Sequence, residues 1–183
     1  ARSASGSVQG VLHVGAPIGF AHRHVAPHLP IFLEKYPHLS IELHSTESDT
    51  DMIEAGFDVC IRISPHSDHD KLVYTELAAN SRQLIATPDY LANNGAPKKP
   101  ADLNKHRLIT HTTKSNSNYW HFRDGSGTQT IHARGHLLMD SGDAMLRAAL
   151  NHGGIAMLPT YMTARHIRSG ALVTILDTLV MED

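Results

Sequence analysis

Two segments near the start of the chain have the alternating pattern of strands. Leu12 and Val14 alternate with polar or small neighbours, and this period of two predicts a strand that ends at Pro17. Ile41 and Leu43 alternate with polar residues in the same way. Each segment therefore predicts a short strand with one buried face.

A helical spacing lies between these two strands. From Phe20 to Tyr36 the apolar positions recur every three or four residues, which predicts a helix with one buried face, ended by Pro37. Pro27 and Pro30 each lack a backbone N–H, so we expect a kink or a late helix start there. The apolar positions are Val25, Leu29, Phe32, Leu33 and Tyr36.

The pattern up to residue 63 completes a β-α-β-α-β order. A short helix is predicted over 49–55, with an aspartate at its start and Gly56 in the left-handed turn at its end. Residues 57–63 are almost continuously apolar, as in a parallel strand that is covered on both faces. Such an alternation predicts a parallel sheet with right-handed crossovers.

The second part of the chain also mixes strands and helices. Pro88 is suited to open a helix that Gly95 closes, and Asp140 or Ser141 is expected to cap another helix through Asn151. The other predicted elements are strands at Gln83–Thr87, Leu108–Thr110, Ile155–Leu158 and Val173–Leu176, a helix over Tyr161–Ser169, and an antiparallel hairpin of Tyr119–Phe122 with Gln129–Arg134.

Composition excludes some classes of protein and permits others. The 183 residues are 41% hydrophobic, which suffices for a core, and the net charge of −2 lacks the basic excess of a nucleic-acid-binding module. The single cysteine, Cys60, allows no internal disulfide and suits a reducing compartment, where we expect it to be a small core residue. No apolar run reaches the length of a membrane span, and residues 1–10 carry no signal-peptide pattern, so a cytoplasmic location is expected.

Six short motifs occur in an order that resembles a known family. The chain is similar to the effector-binding domain of LysR-type transcriptional regulators from about Gly10 to Leu176. The motifs are Gly-Val-Leu-His-Val-Gly-Ala-Pro at 10–17, Phe-Leu-Glu-Lys-Tyr-Pro at 32–37, Gly-Phe-Asp-Val-Cys-Ile-Arg at 56–62, Ala-Thr-Pro-Asp-Tyr-Leu at 86–91, Trp-His-Phe-Arg-Asp-Gly at 120–125 and Gly-Ile-Ala-Met-Leu-Pro at 154–159.

The resemblance implies a type 2 periplasmic-binding-protein-like α/β fold, in which crossover strands join two lobes around a small-molecule cleft. Residues 1–9 would be a linker, 10–75 the first lobe and 76–183 the second. Such domains usually continue past Leu176 with a strand and a helix that close the first lobe, and this closing segment is missing here. An N-terminal winged helix-turn-helix, also absent here, would carry the DNA binding.

The resemblance also implies partners. The chain would form a homodimer or homotetramer, with the helix at 20–36 and the strand Ile41–Leu43 of one subunit against the helix Ala144–Asn151 of its neighbour. The effector would be a small molecule, and a carboxylate suits the cleft. By shifting the population of lobe arrangements, the effector would change how the DNA-binding parts are held. No cofactor is expected.

The turn after the first strand is the first candidate effector site. In open α/β sheets, ligands bind where the carboxyl ends of strands lead into helices. The alternative is an ordinary strand-to-helix turn without a ligand. The candidates in this turn are Ala16, Pro17, Ile18, Gly19 and Phe20.

Other candidates come from the ends of later elements. Arg62 could clamp an anionic effector or pair with a carboxylate to hold the hinge. Trp120 could line the far wall of the cleft or lie in the core, and one of the polar residues near position 140 could serve as a helix cap instead. These further candidates are Ser45, Thr46, Arg62, Ile63, Ser64, Tyr119, Trp120, Asp140 and Ser141.

Histidine is the compositional oddity, with 15 residues. His24 and His28 are four residues apart, close to His22, a spacing that can place two imidazoles over one metal ion. No third ligand is evident and Pro27 intervenes, so no metal site is expected. Without a nucleophile elbow or phosphate loop, the chain is not expected to be an enzyme, and the alternative function is a free-standing periplasmic solute-binding protein of the same fold.

Overall fold

The computed structural model describes residues 8–46, 56–63, 73–112, 118–124 and 127–182. The chain divides into two compact units, Ala1–Tyr74 (unit 1) and Thr75–Asp183 (unit 2). The sequence analysis places this boundary after residue 75. The helix predicted over 49–55, with the aspartate at its start, lies outside the described residues. So does the candidate Ser64.

Unit 1 is built on a three-stranded parallel sheet. Its strands are β1 (Gln9–Ala16), β2 (His38–Ser45) and β3 (Val59–Cys60), in the order β2-β1-β3. β1 and β2 pair along their whole length, from Gln9 beside His38 to Ala16 beside Ser45. The predicted parallel β-α-β order is therefore confirmed, and both strands are longer than the apolar alternation alone indicated.

The connection from β1 to β2 is one interrupted helical segment. The two prolines lie in the first turns of its last two pieces, where a missing N–H leaves no helical hydrogen bond unmade, so the predicted irregularity is confirmed. The pieces are α1 (Ile18–Phe20), a π-helical turn (Ala21–Val25), a 3-10 turn (Ala26–His28) and α2 (Leu29–Lys35).

Three sequence expectations for unit 1 are wrong. Phe32, predicted on the buried face of the helix, is 41% exposed, because α2 packs beside β2 at the edge of a narrow sheet. The predicted doubly covered strand 57–63 is reduced to the two residues of β3, which pair only with β1 in the described part of the chain. Cys60 is consequently exposed rather than part of the core.

Unit 2 contains a five-stranded sheet in the order β10-β4-β9-β5-β8 and a three-stranded antiparallel sheet in the order β11-β6-β7. The strands are β4 (Arg82–Ala86), β5 (Leu108–His111), β6 (Tyr119–Asp124), β7 (Gly127–His132), β8 (Leu137–Met139), β9 (Ile155–Pro159), β10 (Val173–Ile175) and β11 (Val180–Glu182). The helices are α3 (Pro88–Asn94), a 3-10 helix (Pro100–Lys105), α4 (Gly142–Leu150) and α5 (Thr160–Arg168).

The five-stranded sheet of unit 2 separates two apolar cores. Along β4, Leu84 and Ala86 belong to one core and Ile85 to the other, as the two-residue period of a strand requires. The first core includes Trp120 and Phe122 of the predicted hairpin, which is confirmed. The second core lies under α4 and α5 and is mainly aliphatic. Both faces of this sheet are thus covered.

Two details of unit 2 bear on the sequence predictions. Ser141 is the N-cap residue of α4, as predicted. Its side chain makes no capping hydrogen bond, so the prediction that this side chain caps the helix is wrong. The backbone packs closely at Gly154, where an added Cβ would overlap the Arg107 carbonyl group. No helix in the described part of the chain is long and apolar enough to cross a membrane.

Candidate functional site

The strands of unit 1 all end at one edge of their sheet. The Thr46 N–H donates to the Ala16 carbonyl oxygen at 3.1 Å, and the Ile61 N–H donates to the Gly15 carbonyl oxygen at 2.8 Å. Ala16 also lies beside Ser45 in the register of β1 and β2. The structure therefore brings the selected residues Ala16, Ser45 and Thr46 together, and it places Ile61, the residue before the candidate Arg62, beside Gly15.

Burial divides these edge residues into two groups. The Ala16 side chain is fully buried and Gly19 has none, so both can offer only backbone atoms to a ligand. The Ser45 hydroxyl-bearing side chain is exposed. The partly buried members, which have side chains within reach of solvent, are Pro17, Ile18, Phe20, Thr46, Arg62 and Ile63.

The turn between β1 and the helical segment is fixed by local hydrogen bonds. The Ala21 N–H donates to the Pro17 carbonyl oxygen at 2.8 Å, and Arg23 Nη1 donates to the Gly19 carbonyl oxygen at 3.0 Å. Helical structure thus starts within two residues of the end of β1. The turn holds its backbone at the strand-end edge of unit 1.

Unit 2 has a strand-end edge of its own. Asp140 and Ser141 directly follow β8, and the Thr112 N–H, just after the neighbouring β5, donates to the Met139 carbonyl oxygen at 2.9 Å. Asp140 is exposed and Ser141 is half-buried. Thr112, which the sequence analysis did not select, lies two positions after a predicted strand end and joins this edge through its backbone N–H.

The two aromatic candidates of unit 2 have different environments. Trp120 is 1% exposed and lies in the first apolar core, so it is a core residue, and its placement on a ligand-contacting wall is wrong. Tyr119 is 46% exposed, and its ring stacks on His132 with the centroids 4.8 Å apart. Alternation along β6 explains the difference, since neighbouring residues of a strand face opposite sides.

Unit 2 also contains an open pocket of about 740 Å³ that the sequence analysis did not foresee. Three histidines and an arginine contribute to its wall, among them the nearly buried His106. The Tyr90 hydroxyl lies 3.3 Å from His106 Nδ1 and accepts the Arg107 N–H at 2.9 Å. Burial lowers the pKa of His106, while the Asp102 carboxylate acts in the opposite direction.

Among the described residues, a single trio of side chains has the arrangement of metal ligands. It consists of His13, Glu42 and His44, on the sheet of unit 1. The helical histidines that the sequence analysis weighed are not in it. His24 instead packs its ring against Phe20, with the centroids 5.0 Å apart.

Comparison with known proteins decides the family. The profile of the LysR substrate-binding domain matches residues 5–179, nearly the whole chain. The chain belongs to this family. The resemblance stated from the six sequence motifs is therefore confirmed.

The relatives of this LysR domain are regulators. A Haemophilus influenzae protein described as an uncharacterized HTH-type transcriptional regulator is 32% identical over 170 residues, which are 93% of this chain and 59% of that protein. The HTH-type transcriptional activator TtdR of Escherichia coli K12 is 27% identical over 169 residues, 92% of this chain and 54% of the relative. The chain thus spans somewhat more than half the length of these relatives.

Solved structures agree with the family assignment. The regulatory domain of CrgA, a LysR-type transcriptional regulator from Neisseria meningitidis, superposes with a TM-score of 0.86 at 27% identity, covering 96% of this chain and 85% of CrgA's domain. This confirms the predicted type 2 periplasmic-binding-protein-like α/β fold. The relatives are transcriptional regulators and not enzymes, and a free-standing periplasmic solute-binding protein is not favoured.

Proposed function

We propose that this LysR domain senses a small-molecule effector and passes that signal to a DNA-binding region of a longer regulator. The observation that carries the proposal is the family match over residues 5–179, together with relatives named as HTH-type transcriptional regulators. Because the matched region covers only 59% and 54% of those relatives, we expect a longer parent protein to supply the helix-turn-helix. A cytoplasmic location is part of this proposal.

The strand-end edge of unit 1 supplies candidate contacts for the effector. Thr46 offers a partly buried hydroxyl, Ser45 an exposed one, and the turn after β1 presents backbone atoms. The Arg62 guanidinium, two residues after the end of β3, would add a permanent positive charge near this end of the sheet. A hydroxyl donor and a cation near the same edge favour a small carboxylate. In unit 2, Asp140, Ser141 and the exposed Tyr119 are further candidates.

A thermal-shift screen of this chain against small mono- and dicarboxylates and aromatic acids tests the proposal. A ligand at one hundred times its dissociation constant stabilises a protein by about 2.7 kcal/mol. For a chain of this size, that corresponds to a rise in Tm of roughly 5–11 °C. We expect Thr46→Val and Arg62→Gln to reduce the rise.

Ser40→Ala is the matched control for that screen, because Ser40 is an exposed hydroxyl in β2 away from the strand-end edge. The control should respond to the ligand as the unmodified chain does. A ligand whose stabilisation is unchanged by both Thr46→Val and Arg62→Gln would place the effector elsewhere. A complete absence of stabilising acids would count against a carboxylate effector.

The longer regulator is tested by reading the gene upstream of Ala1. A winged helix-turn-helix and a linker helix would support the proposal, and a signal peptide would contradict it. With that region present, the effector found by the screen should change the affinity of the full protein for its operator in a mobility-shift assay. The relevant comparison is with and without ligand at one salt concentration, because protein–DNA affinity depends strongly on salt.

Oligomerisation is also part of the proposal. α2 exposes two large apolar side chains, Ile31 at 67% and Phe32 at 41%. In unit 2, Leu137 and Leu138 of the edge strand β8, next to α4, are 38% and 57% exposed. These two surfaces are consistent with a dimer in which α2 and β2 of one subunit contact α4 and β8 of its partner, since exposed apolar clusters favour association.

A further inference from the structure

We propose that His13, Glu42 and His44 form a binding site for a divalent transition-metal ion, with zinc as the best match. The site lies on the sheet of unit 1, in β1 and β2. Metal binding there does not depend on the proposed effector contacts. One ligand atom from each side chain lies within 4.8 Å of those of the other two.

Strand register brings the three residues together. β1 and β2 are parallel, and His13 of β1 lies directly beside Glu42 of β2. His44 follows Glu42 by two positions, so the strand period places both on the same face of the sheet. All three side chains therefore project from one face at adjacent positions, held by regular backbone pairing and not by a loop.

The distances already approach those of a zinc site. His13 Nδ1 is 3.3 Å and His44 Nε2 is 3.7 Å from Glu42 Oε2. Tetrahedral ligands that are each about 2.0–2.1 Å from zinc lie about 3.3–3.4 Å from one another. Small side-chain rotations would complete this geometry, because exposed side chains can adjust their rotamers without disturbing a core.

The ligand types and their surroundings also fit a metal ion. Two imidazoles and one carboxylate are a ligand set that zinc uses when its fourth position is open to water or another ligand. The His13 N–H donates to Asp58 Oδ2 at 2.9 Å, which ties the backbone of His13 to the segment before β3. The His44 ring packs against Phe57 with the centroids 5.2 Å apart. Two of the three ligand residues are thus held by neighbours outside the trio.

The exposure of the trio allows an ion to enter. The side chains of His13, His44 and Glu42 are 43%, 54% and 56% exposed. A cation placed among them keeps contact with water at its open position. One carboxylate oxygen of Glu42, Oε2, faces both imidazoles, so the three side chains already converge on one point.

Calorimetric titration of Zn²⁺ into the chelator-treated full chain tests the site. We expect one equivalent to bind more tightly than the weak background that fifteen histidines provide. Glu42→Gln and His44→Gln should each weaken this tight step by more than the ~10–100-fold typical for loss of a metal's outer-shell partner. In a second readout, Co²⁺ should give the intense visible absorption of a tetrahedral complex in the unmodified chain and lose it in both variants.

His38→Gln is the matched control, since His38 lies on the same strand and the same face as Glu42 and His44. Its neighbour in the register is Gln9, which offers no imidazole. The control should keep the tight Zn²⁺ step and the Co²⁺ spectrum. Thermal unfolding in excess chelator should show both test variants as stable as the control, and His13→Gln replaces any variant that is not.

Two results would overturn the proposal. One is a folded Glu42→Gln or His44→Gln chain that binds Zn²⁺ as tightly as the unmodified chain. The other is an equal loss in His38→Gln, which would mean that the ion binds diffusely to surface histidines.

Discussion

Replacement of Gly154 by alanine should destabilise unit 2 severely, for a reason that can be worked out atom by atom. Gly154 connects α4 to β9 with a φ of +147°, a backbone conformation that residues with a Cβ rarely adopt. An added Cβ would overlap the backbone carbonyl group of Arg107. That same carbonyl oxygen accepts the Ile155 N–H at 2.8 Å, so the overlap and the hydrogen bond cannot both persist.

The cost has two parts. Holding a residue with a side chain in such a conformation costs about 1–3 kcal/mol. Displacing the Arg107 carbonyl leaves the N–H of the buried Ile155 without its acceptor, which costs roughly 1–3 kcal/mol more. Together these amount to about 2–6 kcal/mol. At about 2–4 °C for each kcal/mol, the Tm should fall by at least ~4 °C and by as much as ~24 °C.

Gly170→Ala separates the steric term from the conformational one. Gly170 also has a positive φ, +75°, but an added Cβ would meet no atom within 4 Å. Its alanine variant should lose only the conformational cost of about 1–2 kcal/mol. Thermal and chemical unfolding, followed by circular dichroism, compare the two variants. Equal losses in Gly154→Ala and Gly170→Ala would refute the assigned contact with Arg107.

Two further predictions concern pH and association. Because burial lowers the pKa of His106 below its ordinary value of 6.5, its protonation favours the unfolded chain: the stabilisation is present above pH 6.5 and is lost as the pH falls through the lowered pKa. His106→Leu should therefore flatten the decrease in Tm on acidification, and the exposed His136→Gln is the matched control for loss of a histidine from the same pocket wall. Ile31→Glu should weaken self-association at least tenfold in analytical ultracentrifugation. Leu77→Glu, at a similarly exposed position, should not weaken it, and equal effects of the two substitutions would contradict the proposed interface.

Much of the fold followed from local pattern. The period of two at Leu12 and Val14, the prolines of the first helical segment and the glycine after α3 each marked an element that the structure contains. These signals are local because backbone geometry acts over a few residues: alternation follows from the pleat, and a proline lacks its N–H wherever it stands. The errors arose where burial depended on distant residues, as for Phe32 and Cys60.

The candidate site was predictable in part for the same reason. Sequence order identified which residues end strands, and a parallel sheet brings such ends to one edge, so Ala16 and Thr46 are neighbours as expected. Sequence order could not decide which of the two neighbouring aromatic side chains lies in the core. The structure buries Trp120 there and leaves Tyr119 exposed. That choice depends on which face of β6 the rest of unit 2 covers.

The sequence by itself determined the family, the order of the elements and most of their positions, since these depend on short-range spacing and on motifs that can be read along the chain. Tertiary structure alone decided which distant residues meet. His13 and Glu42 are 29 positions apart, and only the register of β1 with β2 makes them neighbours. The spacing of His24 and His28 suggested a metal-binding pair, yet the geometry favours the trio on the sheet. Register depends on the whole length of two paired strands, so short-range spacing does not encode it.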